Sequence, residues 1–279
     1  MTLGARAIRA LLDDHGLHPS RALGQNFVVD PNTVRRIASR AGVDPARHHV
    51  LEVGPGLGSL TLALAECGAP VTAVEVDRYL VPVLRQVVAD ADQPVTVVEG
   101  DALTVDLDAL LAGSPVWRLA ANLPYNVGTT IFLRLLEDAP SIDGGIVLVQ
   151  REVAERLAAR VGDGAYGIPS VKTAWWAEAE VDSRVPASVF HPRPRVESAT
   201  VTFERRTPPG DDTLRRQTFA LIDAGFGQRR KMLRRSLVAC DGFDPAAFAA
   251  ADIDPTTRAE MLGLDDWVRL AQAGVAADR

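Results

Sequence analysis

The chain has 279 residues, 47% of them hydrophobic and 24% charged, with a formal net charge of −6; that size suits one large domain, or a core domain with a small second one. Cys67 and Cys240 stand far apart with no Cys or His cluster around either, which argues against zinc ribbons, iron–sulfur centres and secreted disulfide scaffolds, so no metal site is expected. No apolar run approaches the roughly 18 residues of a membrane span. The N-terminal segment Met1–Gly16 carries Arg6, Arg9, Asp13 and Asp14 where a signal peptide would have an apolar core, so a cytoplasmic protein without a membrane partner is expected.

Asp30-Pro31 opens the first well-punctuated helix. It has an acceptor at the N-cap, proline in the first turn, Val34, Ile37, Ala38 and Ala41 at helical spacing, and a stop at Gly42. Short β-rich runs follow at 50–53, 71–76, 95–98, 118–121 and 145–150, with helical stretches between them at 59–67, 79–89 and 129–137. Continuous apolar strands alternating with helices predict an α/β, Rossmann-like domain whose mostly parallel sheet is doubly wound. Two further β segments, 177–185 and 196–203, follow; the second alternates in character and reads as antiparallel. Thr207-Pro208-Pro209-Gly210 is a breaker run. Beyond it only helices are expected, at 213–224, 229–238, 245–251 and 256–262, with a last turn around Trp267. The expected division is therefore 1–206, an α/β domain with N-terminal helices, and 207–279, a small all-α domain.

Charge is unevenly placed. Between Arg184 and Arg235 twelve basic residues stand against five acids, a local balance of +7, so the rest of the chain carries −13. That asymmetry points to a polyanionic partner more directly than the overall acidity argues against one.

The run Leu51-Glu52-Val53-Gly54-Pro55-Gly56-Leu57-Gly58 ends one strand and opens a helix. Glycines at such a turn let a ligand approach the backbone. The spacing is tighter than in dinucleotide sites and lacks the lysine of a Walker loop. By itself it leaves open an S-adenosylmethionine site, a nucleotide site or a structural turn. Glu75 closes the next strand, where a carboxylate can accept from both hydroxyls of a ribose, and Asp101 follows the third, where it can accept from an adenine amino group. Three successive strand ends each offering the required group select S-adenosylmethionine.

Asn122-Leu123-Pro124-Tyr125 follows the fourth strand. An exocyclic purine amine is a poor nucleophile, because its lone pair is delocalised into the ring. An Asn oxygen and a backbone carbonyl aimed at the amino hydrogens would favour a pyramidal nitrogen. Pro124 stiffens the loop, and Tyr125 offers a face on which an extruded base can stack. Direct methyl displacement needs no protein nucleophile, so alignment and electrostatics supply the rate.

These residues together resemble the ribosomal RNA adenine dimethyltransferases over nearly the whole chain, and within them the bacterial branch that dimethylates two adjacent adenosines near the 3′ end of small-subunit rRNA. The resemblance implies S-adenosylmethionine as cofactor, an immature small ribosomal subunit as partner and a monomeric enzyme. Leu23-Gly24-Gln25-Asn26-Phe27-Val28 resembles the family's cofactor-covering segment, so Asn26 and Val28 are expected at the cofactor beside Gly54, Gly56, Glu75, Asp101 and Asn122. Val28 replaces the usual Leu. Val189-Phe190-His191-Pro192-Arg193-Pro194-Arg195-Val196-Glu197-Ser198 resembles the segment that supplies a second aromatic, making Phe190 the candidate to stack opposite Tyr125 in the catalytic group of Asn122, Pro124, Tyr125 and Phe190. The stretch from Phe226 to Leu237 resembles the family's basic helix, with Met232 and Arg235 in place of Thr and Asn. Its Arg229, Arg230, Lys231, Arg234 and Arg235 are the candidates for RNA phosphates, Arg230 and Arg234 sharing one helical face. After Tyr125, Asn126-Val127-Gly128-Thr129-Thr130 departs from the family's Asn-Ile-Ser-Thr-Pro. A large-subunit rRNA adenine methylase of the antibiotic-resistance type, and a non-catalytic ribosome-assembly or transcription-type binding protein on the same fold, stand as alternatives.

Overall fold

Strand-forming valines set the frame of the first part of the chain. A computed structural model describes residues 2–240 and 242–274. After helix α1 (Ala5–Asp14), a two-residue strand β1 (Phe27–Val28) and α2 (Pro31–Arg40), the chain alternates β2 (His49–Val53), α3 (Ser59–Ala65), β3 (Val71–Glu75), α4 (Leu80–Val87), β4 (Val95–Glu99), α5 (Leu107–Leu111), β5 (Trp117–Asn122), α6 (Gly128–Asp138) and β6 (Ile142–Gln150). Two helices follow, α7 (Arg151–Ala158) and α8 (Ile168–Trp176), then β7 (Ala177–Val185), the short β8 (Phe190–His191) and β9 (Ser198–Arg205). The last part is helical: α9 (Asp212–Gly227), α10 (Leu233–Ser236), α11 (Ala247–Ala250) and α12 (Leu264–Gly274).

The main sheet has seven strands in the order β4-β3-β2-β5-β6-β9-β7. The pairs from β4 through to β6 are parallel, and β9 joins β6 antiparallel, as the alternation in its sequence predicts. Because the chain winds outward from β2 in both directions, the order reverses between β2 and β5, and a crevice opens at the carboxyl ends there. Glu75 and Glu99 are register partners at the ends of β3 and β4, and Asn122 ends β5, so the polar strand ends share one edge. Helix α2 shows how local sequence secures this frame. The Asp30 carboxylate caps it by accepting from Thr33 N–H at 2.8 Å, a contact worth about 1 kcal/mol, while Val34, Ile37 and Ala38 bury its inner face.

The chain forms two compact units, one running up to Ala154 and resuming at Ala179–Arg205, the other Glu155–Glu178 and the chain from Arg206 onward. The expected cut at 206/207 thus misses an excursion. Tyr166, Val171 and Trp175 lie buried in one cluster with Phe219, Ile222 and Trp267, so residues 155–178 share the core of the helical unit. Helices α7 and α8 are absent from the sequence reading; α8 carries Val171 and Trp175, and Tyr166 sits in the turn before it. Within the helical unit, the expected helix at 229–238 is a second correction. Helix α9 ends at Gly227, and Leu233 N–H and Arg234 N–H donate to the carbonyls of Thr257 and Pro255, which stitches the segment to a loop; the α-helix is confined to Leu233–Ser236, with a 3-10 turn at Leu237–Ala239 after it. The expected helix at 256–262 reduces to a 3-10 turn at Ala259–Met261, and the turn around Trp267 is a full helix, α12. Among the described residues no helix is long and apolar enough to cross a membrane.

Candidate active site

Four loops leave the carboxyl edge of the sheet and meet around Gly54. After β2, Gly54 and Gly56 adopt φ of +70° and +59°, which disfavours any residue with a Cβ; at Gly56 a Cβ would also lie 2.7 Å from the Phe27 ring. Gly56 N–H donates to one Glu75 oxygen at 2.9 Å, and Asp77 N–H to the other at 2.9 Å. A carboxylate offers about four lone-pair positions, so Glu75 keeps two acceptor positions after these bonds, the number a ribose diol needs. Burial raises the Glu75 carboxyl above its ordinary pKa, against the pull of the backbone N–H groups around it.

Glu52, two residues before Gly54, is 1% exposed, and its Oε2 has no hydrogen-bond partner. Burial, with the neighbouring Glu75 charge adding to it, pushes its pKa up to about 8.

Asn122 carries the most informative geometry. Its Nδ2 donates to the Asn26 carbonyl at 2.8 Å. A carbonyl can only accept, so this bond fixes which way the amide faces. Oδ1 is left buried without a hydrogen-bond partner. An unmet buried acceptor costs about 1–3 kcal/mol, a cost that a bound N–H donor would relieve. Tyr125 is half-buried, its hydroxyl hydrogen-bonded to Ser198 Oγ on β9, and burial raises its pKa.

Residues 20–26 are fastened over these loops. Gln25 Nε2 donates to Asp77 at 2.8 Å, its Oε1 accepts from Ser20 N–H at 2.7 Å, and Asn126 Nδ2 donates to the Ala22 carbonyl at 3.1 Å. The enclosed space consists of adjoining hollows that share Gly54. One, about 60 Å³, is walled by Asn26, Gly56, Glu75, Asn122, Pro124 and Tyr125. The second, about 170 Å³ and more apolar, lies against Leu23, Val76, Asp101, Val127 and Ile131. A third of about 30 Å³ touches Val28, Glu52 and Asn122.

The structure thus brings together Asn26, Val28, Gly54, Gly56, Glu75, Asp101, Asn122, Pro124 and Tyr125. Phe190 stands apart. It pairs with Val28 across the β1–β8 ladder and is 4% exposed in the apolar cluster of Val34, Ile37 and Leu60, so it lines none of the three hollows. The pattern that made it a stacking candidate places it, in this conformation, in the core. Arg229, Arg230, Lys231, Arg234 and Arg235 are all exposed within the helical unit. Since residues 228–232 are not helical, Arg230 and Arg234 do not share a helix face, and Arg229 pairs with Glu260 at 2.9 Å.

Several contributors escaped the sequence reading. Val76, 49% exposed, extends the wall one residue past Glu75. Arg134 on α6 donates to the carbonyls of Ala102 and Val105 at 2.5 and 2.9 Å, clamping the turn that bears Asp101. Val76 could have been found by its place directly after a strand-end acid; nothing in the sequence marks Arg134.

The donor set fits S-adenosylmethionine. Gly54 and Gly56 leave the backbone open to close approach, Glu75 keeps two acceptor positions, Asp101 borders the apolar hollow, and Asn122 Oδ1 waits unpaired beside them.

Comparison with known proteins gives the same answer. The description "Ribosomal RNA adenine dimethylase" belongs to the family profile that matches residues 18–273. The chain is 50% identical over 278 residues to ribosomal RNA small subunit methyltransferase A of Leifsonia xyli subsp. xyli, covering 96% of this chain and 97% of that one. The crystal structure of a dimethyladenosine transferase from Plasmodium falciparum shares the fold with a TM-score of 0.73 at 20% identity, covering 86% of this chain and 94% of that one. That of the 23S rRNA methyltransferase ErmE gives 0.66 at 26% identity, covering 88% and 98%. A profile match over most of the length, joined to half identity with a full-length relative, makes this chain a member of the ribosomal RNA adenine dimethylase family.

Proposed function

We propose that this chain transfers methyl groups to the N6 amines of two adjacent adenosines near the 3′ end of small-subunit rRNA, acting as a monomer in the cytoplasm on an immature small subunit. The observation that carries the reading is the unpaired, oriented Asn122 Oδ1, in a hollow walled by both Gly54 and Tyr125. A relative named for the small subunit at 50% identity, against 26% for a 23S methyltransferase, favours the small-subunit substrate over the large-subunit alternative.

When bound, S-adenosylmethionine supplies a sulfonium-activated methyl group. Glu75 would hold its ribose, Asp101 its adenine amine, and the Gly54–Gly56 backbone with Asn26 and Val28 the remainder. Tyr125 offers its face to the extruded adenine. Asn122 Oδ1 accepts one amino hydrogen of the target, which draws the nitrogen toward pyramidal geometry and frees its lone pair. Removing a comparable single preorganised hydrogen bond elsewhere costs about 10²–10³ in rate. After one transfer the amine still has one hydrogen for Asn122 to hold, so the same pocket serves a second. In the helical unit, the exposed cations Arg229, Arg230, Lys231, Arg234 and Arg235 meet the phosphates, since structured RNA is read largely through its backbone.

Mass spectrometry tests this directly. Under-methylated small subunits incubated with the chain and S-adenosylmethionine should acquire dimethyladenosine at two adjacent positions. Marks confined to large-subunit rRNA, or no marks on either, would overturn the reading.

A further inference from the structure

The segment expected to supply Phe190 to the site reaches it by another residue. Ser198, the last of that motif, opens β9, faces Gln150 across the ladder and is fully buried. Its side-chain hydroxyl meets the Tyr125 hydroxyl. Strand β6 lies between β5, which leads into Tyr125, and β9 in the sheet order, so the phenol spans the end of one strand to reach the next. Tyr125 is therefore held at both ends: its backbone sits in the Pro124 loop, and its hydroxyl is fastened to a fully buried strand residue. A ring on a loop with a free tip rotates about two side-chain torsions. One tethered at the tip keeps a fixed plane, which a stacking platform requires if an extruded base is to present its amine to Asn122 in one orientation.

We infer that Ser198 is a positioning residue for the target base, acting through Tyr125 to fix the plane on which the adenine stacks. It touches neither the cofactor hollow nor Asn122, so its effect belongs to the RNA side of the reaction. The inference rests on the proposed adenine methylation.

The test uses the full chain, with Ser198→Ala, Ser198→Thr, Tyr125→Phe and the double variant Ser198→Ala/Tyr125→Phe. Single-turnover methylation of small subunits should show Ser198→Ala lowering kcat/KM for RNA by about 2- to 13-fold, the worth of one neutral hydrogen bond. The KM for S-adenosylmethionine should stay unchanged. Ser198→Thr, which keeps the hydroxyl, should restore the rate. The double variant should be no slower than the slower single, because both changes remove the same bond. Wild-type kinetics in Ser198→Ala, losses that multiply in the double variant, or an equal rise in the cofactor KM would overturn the inference. A second readout does not depend on turnover. With three tyrosines in the chain, 3-fluorotyrosine labelling gives three ¹⁹F resonances, and Tyr125→Phe identifies the relevant one. That resonance should shift in Ser198→Ala while the others stay put; an unmoved signal refutes the tether. If the wild-type chain marks no small-subunit rRNA while the resonance moves, the tether stands and the proposed substrate falls.

Discussion

Glu52→Gln isolates an electrostatic cost stored directly beneath the cofactor loop. Burial holds the Glu52 carboxyl protonated to about pH 8, against an ordinary value of 4.5. The folded chain therefore keeps a proton that the unfolded chain gives up, and stability is fully present below pH 4.5 and falls as pH rises to 8. A shift of that size corresponds to about 5 kcal/mol over the window, of which roughly 3 kcal/mol is gone by pH 7. Glutamine has nearly the same shape, carries no titrating proton and keeps an acceptor at the unpartnered position. Urea unfolding of both proteins between pH 5 and 9 measures the difference. Wild type should lose about 4 kcal/mol relative to Glu52→Gln between those limits. The comparison removes the contribution of every group that does not interact with Glu52. A wild-type minus variant difference that stays flat with pH would mean that Glu52 does not hold its proton in the fold, and the electrostatic account of the loop would be refuted.

Asn122→Ala deletes both the acceptor and the Asn26 tether, and should cut methyl transfer by about 10²- to 10³-fold while calorimetric cofactor binding persists; near-normal turnover would remove Asn122 from the chemistry. Arg134→Ala frees the carbonyls of Ala102 and Val105, and should raise the KM for S-adenosylmethionine several-fold with kcat held, since the clamped turn bears Asp101; a loss confined to kcat would contradict that assignment. Neutralising Arg229, Arg230 and Lys231 should flatten the dependence of log K for RNA on log salt by about 0.7–0.9 for each phosphate left without its cation, and an unaltered slope would leave these side chains as solvated surface.

What could be read in advance follows from the range of the interactions involved. The parallel strands were legible because each is a continuous apolar run, and Glu75, Asp101 and Asn122 because they stand at the ends of such runs or just beyond them, so placing the strand places the residue. The helix expected at 229–238 failed for the opposite reason. Its cations suit a helix locally, but Gly227 ends α9 and the backbone donors of Leu233 and Arg234 bond to Thr257 and Pro255, more than 20 residues on. The membership of residues 155–178 in the second unit was invisible, since Trp175 is buried in a cluster with the distant Phe219 and Trp267. Phe190 and Ser198 show the same limit within one motif. The sequence marked the segment as part of the site; the β1–β8 pairing decided that the aromatic turns inward, and the β6–β9 register places the hydroxyl that meets Tyr125.

The two ends of the Asn122 side chain join the cofactor side of the site to the target side. Its amide nitrogen needs the Asn26 carbonyl, which belongs to the segment fastened by Gln25 to Asp77 and by Asn126 to Ala22. Asp77 in turn donates its N–H to Glu75, whose other oxygen holds Gly56. The orientation of the target acceptor is thus set by the same chain of hydrogen bonds that shapes the cofactor hollow. Loosening residues 20–26 would free the Asn122 amide to rotate as well as opening the hollow. In the proposed reaction, an acceptor oriented only when its covering segment is seated stays aimed through two successive transfers, so a single asparagine serves both.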